Sequence, residues 1–201
     1  METKKIITIS REFGSGGRSI GKAIAERLGI AYYDKELIKQ VAEKTGFDPG
    51  YIEQNGEYTK SKWSLLSGIP AVSNVMNGMS AADYLWIMQR KVILDIAEKE
   101  SCVIVGRCAD YILRDQSDCF HVFIHAGTAF RSDRIVRLYG GSEKKPEERL
   151  DEKDGRRRTN YKNYTDREWG VCQNYTISLD SGVIGIDRCV DLIVSLIQSP
   201  Q

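Results

Sequence analysis

The chain has 201 residues, 41% of them apolar and 28% charged, enough to bury one core without disulfides and too few for two full domains. Basic residues number 29 and acidic residues 28, a net charge of +1 that argues against a general nucleic-acid or anionic-membrane binder. No apolar run approaches the roughly 20 residues of a membrane span, and the stretch after Met1 is too short for a secretory signal.

Ile6 to Ile9 reads as a buried strand, ended by the glycine cluster Gly14 to Gly17. Ile20, Ala23, Ile24 and Leu28 recur at helical spacing, with Gly29 just past the end. Residues 31–33 form a second short strand and 35–44 a second helix. From 46 to 80 scattered glycines and prolines interrupt the pattern, so this segment reads as an irregular or partly helical excursion. Leu85, Met88, Val92 and Ile96 mark a long helix over 82–100. Strands follow at 102–105 and 119–124, then a helix over about 129–138. Residues 143–158 carry seven positive and six negative charges and read as a solvated helix face. A last strand spans 175–179, and Val190, Ile193, Val194 and Ile197 pattern a closing helix.

This alternation predicts an α/β domain over 1–201, with a parallel sheet covered on both faces. Ligands of such sheets sit beyond the carboxyl ends of the strands. Attention therefore falls on 11–19, Asp34, Gly106, Arg107 and the residues after Ile124. The five cysteines form no C-x-x-C pair and, without an export signal, read as free thiols in a reducing cytoplasm. His121 and His125 are too far apart in sequence to make a zinc site by themselves. Tyr161, Tyr164 and Trp169 read as packing groups.

The strand-to-helix junction Ser10-Arg11-Glu12-Phe13-Gly14-Ser15-Gly16-Gly17-Arg18-Ser19 carries the chemistry. Three glycines in four positions let backbone N–H groups converge on an anion, and the following helix adds its positive dipole end. Gly14, Ser15, Gly16, Gly17, Arg18 and Ser19 are thus the candidate phosphate cradle. A dinucleotide G-x-G-x-x-G motif would need its third glycine at Ser19. The mononucleotide pattern G-x-x-x-x-G-K-[ST] fits better, with Gly17, Arg18 and Ser19 at its end, Arg18 in place of lysine and Glu12 in place of the first glycine.

Residues 14–28 resemble the P-loop and first helix of bacterial cytidylate kinases. Residues 9–18 and 33–38 resemble more closely the cytidylate kinase-like group, and the likeness continues through Arg107, Arg131, Arg134, Asp154, Arg157 and Asn174-Tyr175. The resemblance implies a five-stranded P-loop kinase fold, an acceptor region at 46–80 and a lid at about 140–165. It implies phosphoryl transfer from ATP, with Mg2+, to a nucleoside monophosphate. Ser19 would ligate the magnesium, and Arg131 and Arg134 would line the donor and lid side. Arg107 would hold the acceptor phosphate, and Asp154 and Arg157 the acceptor sugar and phosphate. Asp34 is a further substrate-contact candidate, or a cap for the helix at Lys35.

Two departures stand out. Aligned on the helix, Gly17 falls where those kinases carry their catalytic lysine, and no lysine occurs between Lys5 and Lys22. Arg18, one residue later, could swing a guanidinium over the phosphates, or a lid arginine could supply the charge. Cys108 replaces an aspartate that helps read cytosine. Three functions remain open: a pyrimidine monophosphate kinase with CMP the first choice, a P-loop kinase for another small metabolite, or a nucleotide-binding regulatory module. The expected partner is a small nucleotide, with no nucleic acid and no membrane.

Overall fold

A computed structural model describes residues 5–56, 79–116 and 118–199. Most of the 46–80 excursion, 57–78, lies outside the described residues. In chain order the elements are β1 (Ile6–Arg11), α1 (Gly17–Leu28), β2 (Ala31–Tyr33), α2 (Lys35–Thr45), α3 (Pro49–Asn55), α4 (Ala81–Lys99), β3 (Cys102–Val105) and α5 (Ala109–Ile112). They continue with β4 (Cys119–His125), α6 (Thr128–Tyr139), α7 (Pro146–Thr165), β5 (Ile177–Asp180), α8 (Ser181–Ile184) and α9 (Ile186–Gln198).

Among the described residues the strands form one parallel sheet in the order β2-β3-β1-β4-β5, with β1 at its centre and Ile6 registered against both Cys102 and Cys119. Strand side chains alternate between faces. Ile7 and Ile9 join Val103, Val105, Val122 and Ile124 under α1 and α9, while Ile6, Cys102 and Ile104 pack under α2, α4 and α5. Each fully buried Ile or Val contributes about 1.5–3 kcal/mol relative to exposure, so these two faces hold the sheet rigid. Arg11 follows Ile7 and Ile9 in the alternation and therefore emerges on the α1 side.

The expected elements recur with shifts of a residue or two at their ends. Tyr175, expected to open the last strand, instead follows a 3-10 turn at Cys172–Asn174, and its ring packs 4.9 Å from Phe123. The larger correction concerns the charged segment. It is helical, but Leu150, Asp154, Arg157 and Tyr161 form a buried stripe rather than part of a solvated face. Apolar periodicity cannot find a stripe whose middle members are an ion pair. Tyr161, Tyr164 and Trp169 are packing groups: Tyr161 donates to Asp110, Tyr164 stacks on Trp86 at 4.6 Å, and Trp169 meets Phe123 edge-on. The five cysteines form no disulfide. No helix among the described residues is long and apolar enough to cross a membrane.

Candidate functional site

Strand β1 ends at Arg11, the chain turns through 12–16, and α1 opens at Gly17. Gly16 makes the turn possible: its φ of 88° lies in the left-handed region, and its carbonyl accepts the first helical bond from Ile20 N–H at 2.9 Å. A side chain there would also meet Ile186 Cδ1 at 2.9 Å, so the isoleucine end would have to shift. As at any helix start, the opening N–H groups of α1 lack an intrahelical acceptor, which suits such a terminus to an anion.

A cavity of about 450 Å³ opens over this junction, within the range of roughly 300–1,000 Å³ usual for small-molecule sites. Gly14, Gly16, Gly17, Arg18 and Ser19 all line it. Seven cationic side chains share the lining with only two carboxylates, Glu12 and Glu53, although the whole chain is nearly neutral. Such a concentration of one sign in a concave site selects an anion of several charges. Phe13, Leu138 and Tyr139 form an apolar wall beside it, with the Phe13 and Tyr139 rings stacked at 5.7 Å.

The structure departs from the expected roles at several positions. Ser15 is fully buried and does not line the cavity; its N–H and its hydroxyl both donate to the Glu12 carbonyl, so it builds the loop. Asp154 is 2% exposed and is not turned to an acceptor sugar. Its Oδ1 accepts from Phe13 N–H at 2.8 Å and from Arg157 at 3.1 Å, and its Oδ2 accepts from Arg131 at 2.6 Å. Arg131 also pairs with Glu12 at 3.4 Å and lies outside the cavity, so it acts as a clamp and not as a group over the donor phosphates. Together these ionic bonds pin the glycine-rich loop to α6 and α7. Arg157 belongs to the clamp, donating to the Arg11 carbonyl at 3.1 Å, and also lines the cavity.

Asp34 occupies the N-cap position of α2, but its side chain makes no capping hydrogen bond and does not line the cavity; it grips Arg18 through two contacts of 3.0 and 3.2 Å. Arg18 is thereby drawn toward the rim. Arg107 is 5% exposed and donates to the Ile52 carbonyl at 3.0 Å, bordering a separate recess of about 20 Å³ with Cys108 and Arg157. Arg107 and Cys108 hold φ values of 61° and 53°, left-handed for two non-glycine residues in succession. Each costs about 1–3 kcal/mol, which the surrounding fold must offset. Such strain clusters at functional sites.

Arg134 donates to Ser19 Oγ at 2.9 Å. The hydroxyl expected to ligate magnesium is thus engaged by a guanidinium in this arrangement. The cationic lining fits a polyphosphate. Arg149, Lys153 and Arg156, which line the cavity from α7, escape sequence reasoning, although their spacing of four and three is the signal of one helical face.

The model of the cytidylate kinase-like family matches residues 6–183. No curated protein matches the chain. Among solved structures, an uncharacterized protein from Eubacterium ventriosum ATCC 27560 is 29% identical, with 98% of this chain and 100% of that one covered at a TM-score of 0.74. A shikimate kinase from Acinetobacter baumannii in complex with shikimate is 15% identical over 98% and 94% of the two chains, with a TM-score of 0.56. A gluconokinase from Sinorhizobium meliloti 1021 is 16% identical over 96% and 94%, with a TM-score of 0.54. The last two share the fold alone, and that fold is the P-loop kinase architecture of a five-stranded parallel sheet with helices on both faces.

Proposed function

The chain belongs to the cytidylate kinase-like family, and from that premise we propose that it is an ATP-dependent nucleoside monophosphate kinase with CMP its first-choice acceptor. The observation that carries this reading is the cationic cavity over the glycine loop. ATP, supplied as its magnesium salt, would lay its phosphates on the N–H groups of 16–19. The acceptor's phosphate dianion attacks the γ-phosphorus; the bond to the β–γ bridging oxygen breaks, and its electron pair leaves with ADP. No proton moves, so the site needs no general base. It needs alignment and positive charge, which is what such transfers draw from a protein.

The chain's residues supply both. The clamp of Glu12, Arg131, Asp154 and Arg157 fixes the loop, so its donors require no reorganisation as charge develops. The cationic face of α7 neutralises the phosphates from the opposite side and excludes water as nucleotide fills the cleft. Cys108 stands where an aspartate would read the cytosine amino group, so discrimination among pyrimidines is expected to be relaxed. A kinase for another small metabolite is the second reading, favoured by the engagement of Arg107 with Ile52 and Gln89.

A coupled assay with Mg-ATP and a panel of nucleoside monophosphates, sugars and hydroxy acids tests the reading. Turnover highest with CMP or another pyrimidine monophosphate supports it. Turnover only with a sugar or hydroxy acid transfers the conclusion to the second reading. Absence of turnover, with nucleotide still bound, leaves a regulatory binding module.

A further inference from the structure

In the motif G-x-x-x-x-G-K-[ST] a small residue ends the strand and a lysine opens the helix. With the lysine place at Gly17, the first residue of α1, the first glycine of the motif falls at Arg11. This chain thus reverses the sizes at both positions. The two are also in contact: a Cβ on Gly17 would lie 2.5 Å from Arg11 Cβ and 2.9 Å from its Cγ. A side chain at 17 and the arginine at 11 exclude each other.

We propose that the phosphate-binding cation of this loop has moved from helix to strand, with Arg11 occupying the room vacated at Gly17 and binding the β- and γ-phosphates in place of the lysine. Arg11 ends the central strand, registered against Ile124, and is 4% exposed while lining the cavity. Its backbone is held by Glu12 N–H donating to the Ile124 carbonyl at 2.9 Å and by Arg157 on its own carbonyl. A guanidinium on so rigid a base is preorganised in a way that Arg18, half turned to solvent, is not. The exchange also explains why three glycines are crowded into four positions: Gly17 is required by the approach of Arg11.

This inference rests on the phosphotransfer reading and deepens it. Its test is a swap. Wild type, Arg11→Gly, Gly17→Lys and the double variant Arg11→Gly/Gly17→Lys are compared for ATP and AMP affinity by calorimetry, for turnover with the best acceptor, and for Tm. Arg11→Gly should weaken ATP by about tenfold or more, the scale of a lost charge-assisted hydrogen bond, and AMP much less. Turnover should fall by about 10²-fold, the scale of one lost oxyanion donor. Gly17→Lys alone should be as impaired, because the new side chain meets Arg11. The double variant should recover ATP affinity above either single change.

If Arg11→Gly does not fold, Arg11→Met keeps the bulk without the charge, and its loss of ATP affinity at a wild-type Tm supports the assignment. ATP affinity unchanged in Arg11→Met, or a folded double variant no better than Arg11→Gly, overturns it while the kinase reading stands. A wild type that binds no ATP removes both.

Discussion

Helix α7 carries two faces one residue apart in register, and they treat charge in opposite ways. On the buried face, Asp154 and Arg157 lie between Leu150 and Tyr161, and Asp154 is satisfied by two guanidiniums and a backbone N–H. On the cavity face, Arg149, Lys153 and Arg156 line the cavity together with the glycine-rich loop. The first face spends its charges on holding the chain together, and the second keeps positive potential available to a ligand. A charge in this segment therefore reveals nothing of its role until its neighbours are known.

The largest effect should come from breaking the buried face. Asp154→Ala leaves Arg131 and Arg157 facing each other without their shared carboxylate, and truncating one partner of a buried ionic group costs about 3–5 kcal/mol. Chemical denaturation should show a loss of that order, with Asp154→Asn losing less. A variant of wild-type stability with a raised acceptor KM would return Asp154 to the substrate.

The complementary change is Arg149→Gln/Lys153→Gln/Arg156→Gln on the cavity face. Stability should move by no more than about 0.5 kcal/mol per site, as for other surface substitutions. Affinity for inorganic triphosphate should fall by about tenfold at low salt and much less at high salt, where screening already removes the attraction. If all three changes leave triphosphate binding and its salt dependence intact, the α1 wall alone recognises the phosphates.

Asp110 sharpens the contrast between buried carboxylates. Its side-chain partners are neutral hydroxyls, Tyr161 at 2.7 Å and Ser10 at 3.1 Å, and burial pushes its carboxyl above the usual range against the pull of these bonds and of the backbone N–H groups of Asp110 and Tyr111. The folded state therefore favours the protonated form. This contribution to stability is complete below the ordinary carboxylate pKa of about 3.9 and is lost as pH rises through the folded value. Asp110→Asn should flatten the corresponding fall in Tm between acid and neutral pH. An unchanged Tm profile would show that Asp110 folds as readily ionised as protonated.

The sheet and its covering helices are legible in the sequence because Ile, Val and Leu recur at strand and helix periods, and a period is a local property. The strand-to-helix junction is legible for the same reason: a strand, a glycine cluster and a helix are contiguous. Two of the partners of Asp154 are not. Phe13 and Arg131 lie 141 and 23 residues away, and only the packed fold brings them together. The same limit applies to Arg18 and Arg11, since the sequence offers Arg18 beside the missing lysine, while the room at Gly17 belongs to a side chain from the preceding strand. Asp34 could not be separated from a helix cap until its bond to Arg18 was seen.

The smallest effect is expected where the two roles compete within one side chain. Arg156 lines the cavity but is also bound by Glu152, one turn back on α7, and Glu152 in turn accepts from Lys144 at 2.6 Å. The Lys144 ammonium, with help from Arg156, holds the Glu152 carboxyl below its ordinary value, so the pair is fully ionised at neutral pH. Such a partly exposed network contributes at most about 1 kcal/mol, because water solvates both partners well in its absence. Glu152→Gln removes the anion that competes with a bound phosphate for Arg156 and raises the positive potential of the cavity. Triphosphate affinity should rise by about twofold at low salt, with the gain gone once the Debye length falls below the separation of the charges. Stability should change by less than about 0.5 kcal/mol. A loss of affinity instead would mean that Glu152 holds Arg156 in its binding rotamer, so that part of the cavity face depends on pairing in the same way as the buried one.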